Sequence, residues 1–145
     1  VVVERVLQRA PSDERAMALV ARCYAAEHRY ADLARVESMR VGLATQPVEQ
    51  ARALARLARV HLEHLGQLSR AQDELDRAVR LSPDDPEVGG LLGRVCAATG
   101  ERDRAIRALL RAHPAARDIE IAGAGLEEAF LEITGQDDPE MEEAA

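Results

Sequence analysis

The amino-acid sequence predicts an all-α protein, a short stack of antiparallel helix pairs. Composition is the first support: 47% of the 145 residues are apolar, yet aromatics make up only 2%, with no Trp and a single Phe. Ala, Leu and Val carry the apolar mass, which suits close helix packing better than an aromatic-rich β core. Charged residues, 31% of the chain, then fit the solvent faces of amphipathic helices. Spacing is the second support. Pro11, Pro47 and Pro83 recur at an interval of 36 residues, and proline stops one helix or opens the next because it lacks an amide proton and fixes φ. Third, the apolar pattern breaks once more between successive prolines, so each interval holds two helices.

Taken in order, Val3, Val6 and Leu7 read as the end of a second helix from an earlier pair, as if the chain were cut from a longer array. In the first full unit Met17, Val20, Cys23 and Tyr24 form one stripe; Leu33, Val36 and Leu43 form another after a turn near His28. In the second, Leu54, Ala58, Leu62 and Leu65 line one face up to Gly66. Ser69 and Gln72 have the spacing of a capping box, and Ala71, Leu75, Ala78 and Val79 follow at helical intervals. In the third, Asp85 is placed to cap a helix whose first turn holds Pro86 and Glu87. Val88, Leu91, Leu92, Val95 and Cys96 continue it, Gly100 permits the turn, and Ala105, Ile106, Leu109 and Ala112 return.

These residues resemble the tetratricopeptide repeat family, with Leu92-Gly93, Gly100, Ala105 and Ala112 matching its pattern in the third unit and Gly66, Ala71, Ala78 and Pro83 in the second. The first unit departs, with His28 where a turn Gly is usual and Leu33 where Ala is usual. The resemblance implies a repeat domain over residues 1–113, with units at about 12–46, 47–83 and 84–113. It also implies a short α-solenoid in which small residues let neighbouring helices approach, and in which about three units are needed for stability.

Beyond Pro114 the pattern changes. Arg117 to Ile121 alternates polar and apolar residues, Gly123 and Gly125 interrupt, and Leu126, Ala129, Phe130 and Ile133 form a short amphipathic helix closed by Gly135. Residues 114–135 are therefore expected to be an extended linker and a helix that caps the stack, and 136–145 an acidic disordered tail. The stretch from about residue 102 to 135 resembles the C-terminal end of ATP-binding subunits of drug-exporting ABC transporters. Arg117, Asp118, Ile119, Leu126, Glu127, Glu128, Ala129, Phe130, Leu131, Thr134 and Gly135 carry that likeness. It implies no ATPase activity, since a phosphate loop needs a Lys and the chain has none.

Catalytic constellations are missing. No Gly-x-Ser-x-Gly elbow occurs, and Asp73 and Asp76 read as helix-surface charges among arginines. His61 and His64 with Glu63 are the one cluster with a metal-site flavour, but the spacing matches no established ligand signature and supplies too few ligands. They are expected at the solvent end of a helix. Cys23 and Cys96, with no CxxC spacing, read as small core residues. No enzyme, cofactor or metal is expected.

What remains is a groove. In the family, the first helix of each pair lines the concave surface where peptides bind. Carried across, Arg15, Arg22, Arg56 and Arg94 would face that surface, with small neighbours such as Ala18, Ala25, Gly90 and Ala97 leaving room. Guanidinium groups there favour the carboxylates of an acidic peptide. The net charge of −7 argues against nucleic acid, and no apolar run is long enough to insert in a membrane. The expected role is a cytoplasmic scaffold for a protein or peptide partner. The alternatives are an accessory or regulatory segment of an ABC transport system acting through the C-terminal helix, or a piece of an enzyme whose catalytic domain lies elsewhere.

Overall fold

Among the described residues three have positive φ: His28 at 55°, Gly66 at 63° and Gly100 at 80°. In a computed structural model, which describes residues 2–116, each sits at the turn inside a helix pair. The amides just beyond fold back onto the preceding helix: Arg29 donates to the Tyr24 carbonyl, Gln67 to that of His61 and Glu101 to that of Cys96, at 2.9, 2.9 and 2.8 Å. Glycine adopts this backbone freely. His28 adopts it with a side chain, and its Nδ1 lies 2.7 Å from the Tyr30 hydroxyl.

The described residues form seven helices: α1 (Val2–Arg9), α2 (Glu14–Ala26), α3 (Tyr30–Leu43), α4 (Pro47–Glu63), α5 (Leu68–Leu81), α6 (Pro86–Ala98) and α7 (Arg102–Ala112). The pairs α2/α3, α4/α5 and α6/α7 stack in sequence, and α1 packs on α2. The fold is a short α-solenoid of antiparallel helix pairs. The capping helix expected within residues 114–135 and the tail expected at 136–145 fall in the stretch from residue 117 on, which lies outside the described residues.

Start signals behave unevenly. Asp13 and Asp85 cap α2 and α6, each accepting hydrogen bonds from two backbone amides through one carboxylate oxygen. Ser69 does not cap. The turn at Gly66 closes so tightly that α5 has already begun at Leu68 with Gln67 at its N-cap, and Gln67 makes no side-chain cap. Gln72 donates instead to Glu101 at 2.6 Å, across to the next pair.

The turns show that the equal proline spacing hides an unequal repeat. His28 and Gly66 are 38 residues apart, but Gly66 and Gly100 only 34. The four additional residues lie in α4, which has 17 residues where α2 and α6 have 13 each. They amount to about one extra helical turn.

Counting from each turn puts the second helices in register. Leu33, Ala71 and Ala105 stand fifth from the turn residue, and Glu37, Leu75 and Leu109 ninth. All six are buried. Leu75 and Leu109 fill the seam with apolar bulk. Glu37, 4% exposed, puts a carboxylate in the same place.

Where α4 packs against α6, their partners α5 and α7 meet mainly through long side chains, Gln72 to Glu101 and Arg104 to Asp76. First helices are therefore closer together than second helices here, so the first-helix face is the inner side of the curve. Close approach within the last pair depends on Gly89: a Cβ there would lie 2.9 Å from the Ala112 Cβ. Asp76, read from the sequence as a helix-surface charge among arginines, is one of these bridges and reaches the next pair.

Candidate partner-binding surface

Among the first helices, α2 carries Arg15, Leu19 and Arg22 at its surface, α4 carries Arg52, Arg59 and Glu63, and α6 carries Glu87, Gly90 and Arg94. Within each set the steps are three, four or seven residues, so each set shares one side of its helix. Between α4 and α6 the charges are already matched. Arg59 reaches Glu87 at 2.7 Å and Arg94 reaches Glu63 at 2.9 Å. Exposed pairs of this kind add little stability, but they occupy the guanidinium groups.

The four arginines expected to form the groove therefore divide. Arg15 and Arg22 are exposed, and their side chains make no hydrogen bond or ion pair among the described residues. Leu19, 57% exposed, lies between them. Arg94 is exposed but tied to Glu63. Arg56 is partly turned away from the inner face, with its Nε donating to Glu37 at 3.1 Å.

Arg56 belongs to a buried cluster that pattern reading missed. Glu37 accepts from Arg40 at 2.8 Å on one oxygen and from Arg56 on the other. Arg40, only 11% exposed at its side chain, also donates from Nε and Nη2 to Glu14 at 3.0 and 2.6 Å. The extra turn of α4 opens a cleft of about 390 Å³ beside this cluster, lined by Glu14, Arg40, Glu49, Arg52 and Arg56. Its three guanidinium groups are matched by Glu14, Glu49 and, behind the lining, Glu37, which makes it a poor site for a further anion.

The two histidines part company. His61 is 6% exposed, not at a solvent face as expected, and its Nδ1 lies 2.8 Å from a Glu74 oxygen. His64 stacks on Tyr30, with ring centroids 3.9 Å apart. One helical turn separates them, but the crossing of α4 over α5 takes one inward and leaves the other beside α3. No three His, Cys, Asp or Glu side chains among the described residues are grouped to hold a metal ion. Cys96 is buried, and burial pushes its thiol up; Cys23 is partly exposed, and both are free.

Burial also pushes the Glu74 carboxyl above its usual range, against the opposing hydrogen bond from His61 and the charges of His61, Arg70 and Arg77. The sign follows from proton uptake. A carboxyl whose folded value is raised holds its proton longer when folded, so its contribution is complete below the unfolded value and is lost as pH rises through the folded one. Relative to a Glu74→Gln variant, the wild type should therefore be favoured at pH 4 and lose ground by pH 7. Urea midpoints of both proteins at the two pH values check this; equal differences at both would remove the effect.

None of the helices described is long and apolar enough to cross a membrane. A family model described as tetratricopeptide repeat matches residues 64–127, a stretch that holds α5, α6 and α7. No curated protein matches the chain.

Proposed function

We propose that this chain is a non-catalytic scaffold that binds an acidic protein or peptide through the inner face of its helix pairs. Tetratricopeptide repeats generally mediate interactions between proteins, and residues 64–127 are similar to them. The observation that carries the finer reading is α2, where Arg15 and Arg22 flank exposed Leu19 and have no acidic partner among the described residues. A guanidinium beside an apolar side chain suits a ligand segment that alternates carboxylates with apolar residues. Arg94 joins them where a stronger carboxylate displaces Glu63. Arg56 is left to its structural role.

The test compares partners retained from lysate by the wild type and by an Arg15/Arg22/Arg94→Ala variant of equal helicity by circular dichroism. A partner held by the wild type, lost by the variant and released by salt is expected. Arg56 is kept, since its removal would unbalance Glu37 and confuse binding with stability. A partner that ignores these substitutions but disappears when residues 117–145 are removed would overturn the inner-face reading. It would move recognition to the segment resembling the exporter subunits.

A further inference from the structure

A second groove lies on the opposite face, between α3 and α5 with α4 as its floor. Its volume is about 620 Å³, within the range of ligand-binding clefts. Met39, Leu57 and Leu65 give it apolar walls, and Ser38, His61 and Arg70 supply polar groups.

Register explains why it is open. Tenth from the turn, α5 carries Asp76; fourth from the next turn, α7 carries Arg104; the two are paired. The same positions one pair earlier are Ser38 on α3 and Arg70 on α5. Likewise Gln72, which bridges to Glu101, is replaced by Ala34. The seam between α5 and α7 is thus closed by a carboxylate and an amide, while that between α3 and α5 has a hydroxyl and a methyl group. Arg70 makes no hydrogen bond or ion pair among the described residues, and the other rim arginine, Arg35, is 61% exposed and spans 3.2 Å to Asp32.

His61 adds a donor or acceptor from below. Its Nδ1 is engaged by Glu74, and its Nε2 has no partner among the described residues. The His61 ring lies at the floor of the groove.

We propose that this groove docks a peptide segment of a partner protein, seating an apolar side chain against Met39, Leu57 and Leu65 and a carboxylate on Arg70. The carboxylate takes the place that Asp76 fills for Arg104, and the His61 ring contacts the segment from the floor. Charge favours this occupant: Glu74, the carboxylate lining the groove, is hydrogen-bonded to His61, whereas the exposed Arg70, whose charge is felt by Glu74, is held by no hydrogen bond or ion pair among the described residues. The site is separate from the inner face and stands or falls without it.

The probe is a short fluorescein-labelled peptide of Leu, Glu and Ala, with a control in which every Glu is Gln, measured by anisotropy on the full chain. Arg70→Ala should weaken binding about tenfold, as loss of one charge-assisted hydrogen-bonded pair does. Ser38→Asp should weaken it at least as much by placing on α3, opposite Arg70, a carboxylate at the position Asp76 holds opposite Arg104. Arg22→Ala should leave it unchanged. Both substitutions in the groove fall on exposed positions, and thermal unfolding confirms that each variant folds. The proposal is overturned if the Gln peptide binds as well as the Glu peptide, if neither binds, or if Ser38→Asp and Arg70→Ala have no effect. Binding weakened by Arg22→Ala alone would also overturn it while supporting the inner face.

Discussion

Replacing Glu37 with Ala should destabilise the protein by about 3 kcal/mol, the low end of what breaking a buried ion pair costs. Glu37 is 4% exposed and stands where Leu75 and Leu109 stand in the later pairs. Its removal leaves the Arg40 guanidinium, with an 11% exposed side chain, facing an empty apolar seam and satisfied only by Glu14. Arg56 is 40% exposed at its side chain, so water replaces Glu37 there at little cost. The loss therefore lives at Arg40, and a drop in the urea midpoint with an unchanged slope would report it. A Glu37→Leu/Arg40→Leu double variant should recover most of the loss, because packed apolar side chains often replace a buried ion cluster at no net cost. If the single variant unfolds with the wild type, the cluster contributes nothing and the first seam is held by other groups.

Much of this fold was legible from punctuation and periodicity. Asp85-Pro86 announced α6, and the stripes of α2, α5 and α6 named most of the apolar side chains those helices bury, whereas the α4 stripe named Leu54 and Ala58 and missed Ala51, Ala53, Ala55, Leu57 and Val60. Legibility failed where one-dimensional spacing and three-dimensional register diverge. The 36-residue proline interval averaged a 38-residue step with a 34-residue one, so the extra turn of α4 and the cleft beside it stayed hidden. His28 was noticed as a departure from glycine, but counting nine residues on from it would also have placed Glu37 in the core. Ser69 looked like a cap because its spacing to Gln72 was right; the backbone bonds around Gly66 had already started the helix.

The site was legible only in part. Arg15, Arg22 and Arg94 occupy exposed first-helix positions, but whether an arginine is free depends on the adjacent helix. Glu63 and Glu87 lie 31 and 28 residues from the arginines they engage, and no local pattern joins positions so distant. The open groove shows the same limit in reverse. Ser38 and Arg70 look ordinary in sequence and become informative once set against Asp76 and Arg104, the corresponding pair that is closed.

Leu75→Ala should cost about 3 to 4 kcal/mol, within the span measured for buried Leu truncations. Leu75 is fully buried on α5, which packs on both α4 and α6. The side chain therefore holds its own pair together and joins it to the next. Stability in such a stack is close to a sum of pair and nearest-neighbour terms, so the loss should not be shared equally. Hydrogen exchange should show α6 and α7 losing protection most, because their packing on the rest of the described chain is through α5 and α4. The pair α2/α3 keeps α1 and α4 as neighbours and should lose least. Equal loss of protection from α1 to α7 would mean that the seven helices unfold as one cooperative unit. In that case a partner bound on α2 would stabilise the far end of the stack as strongly as the near one.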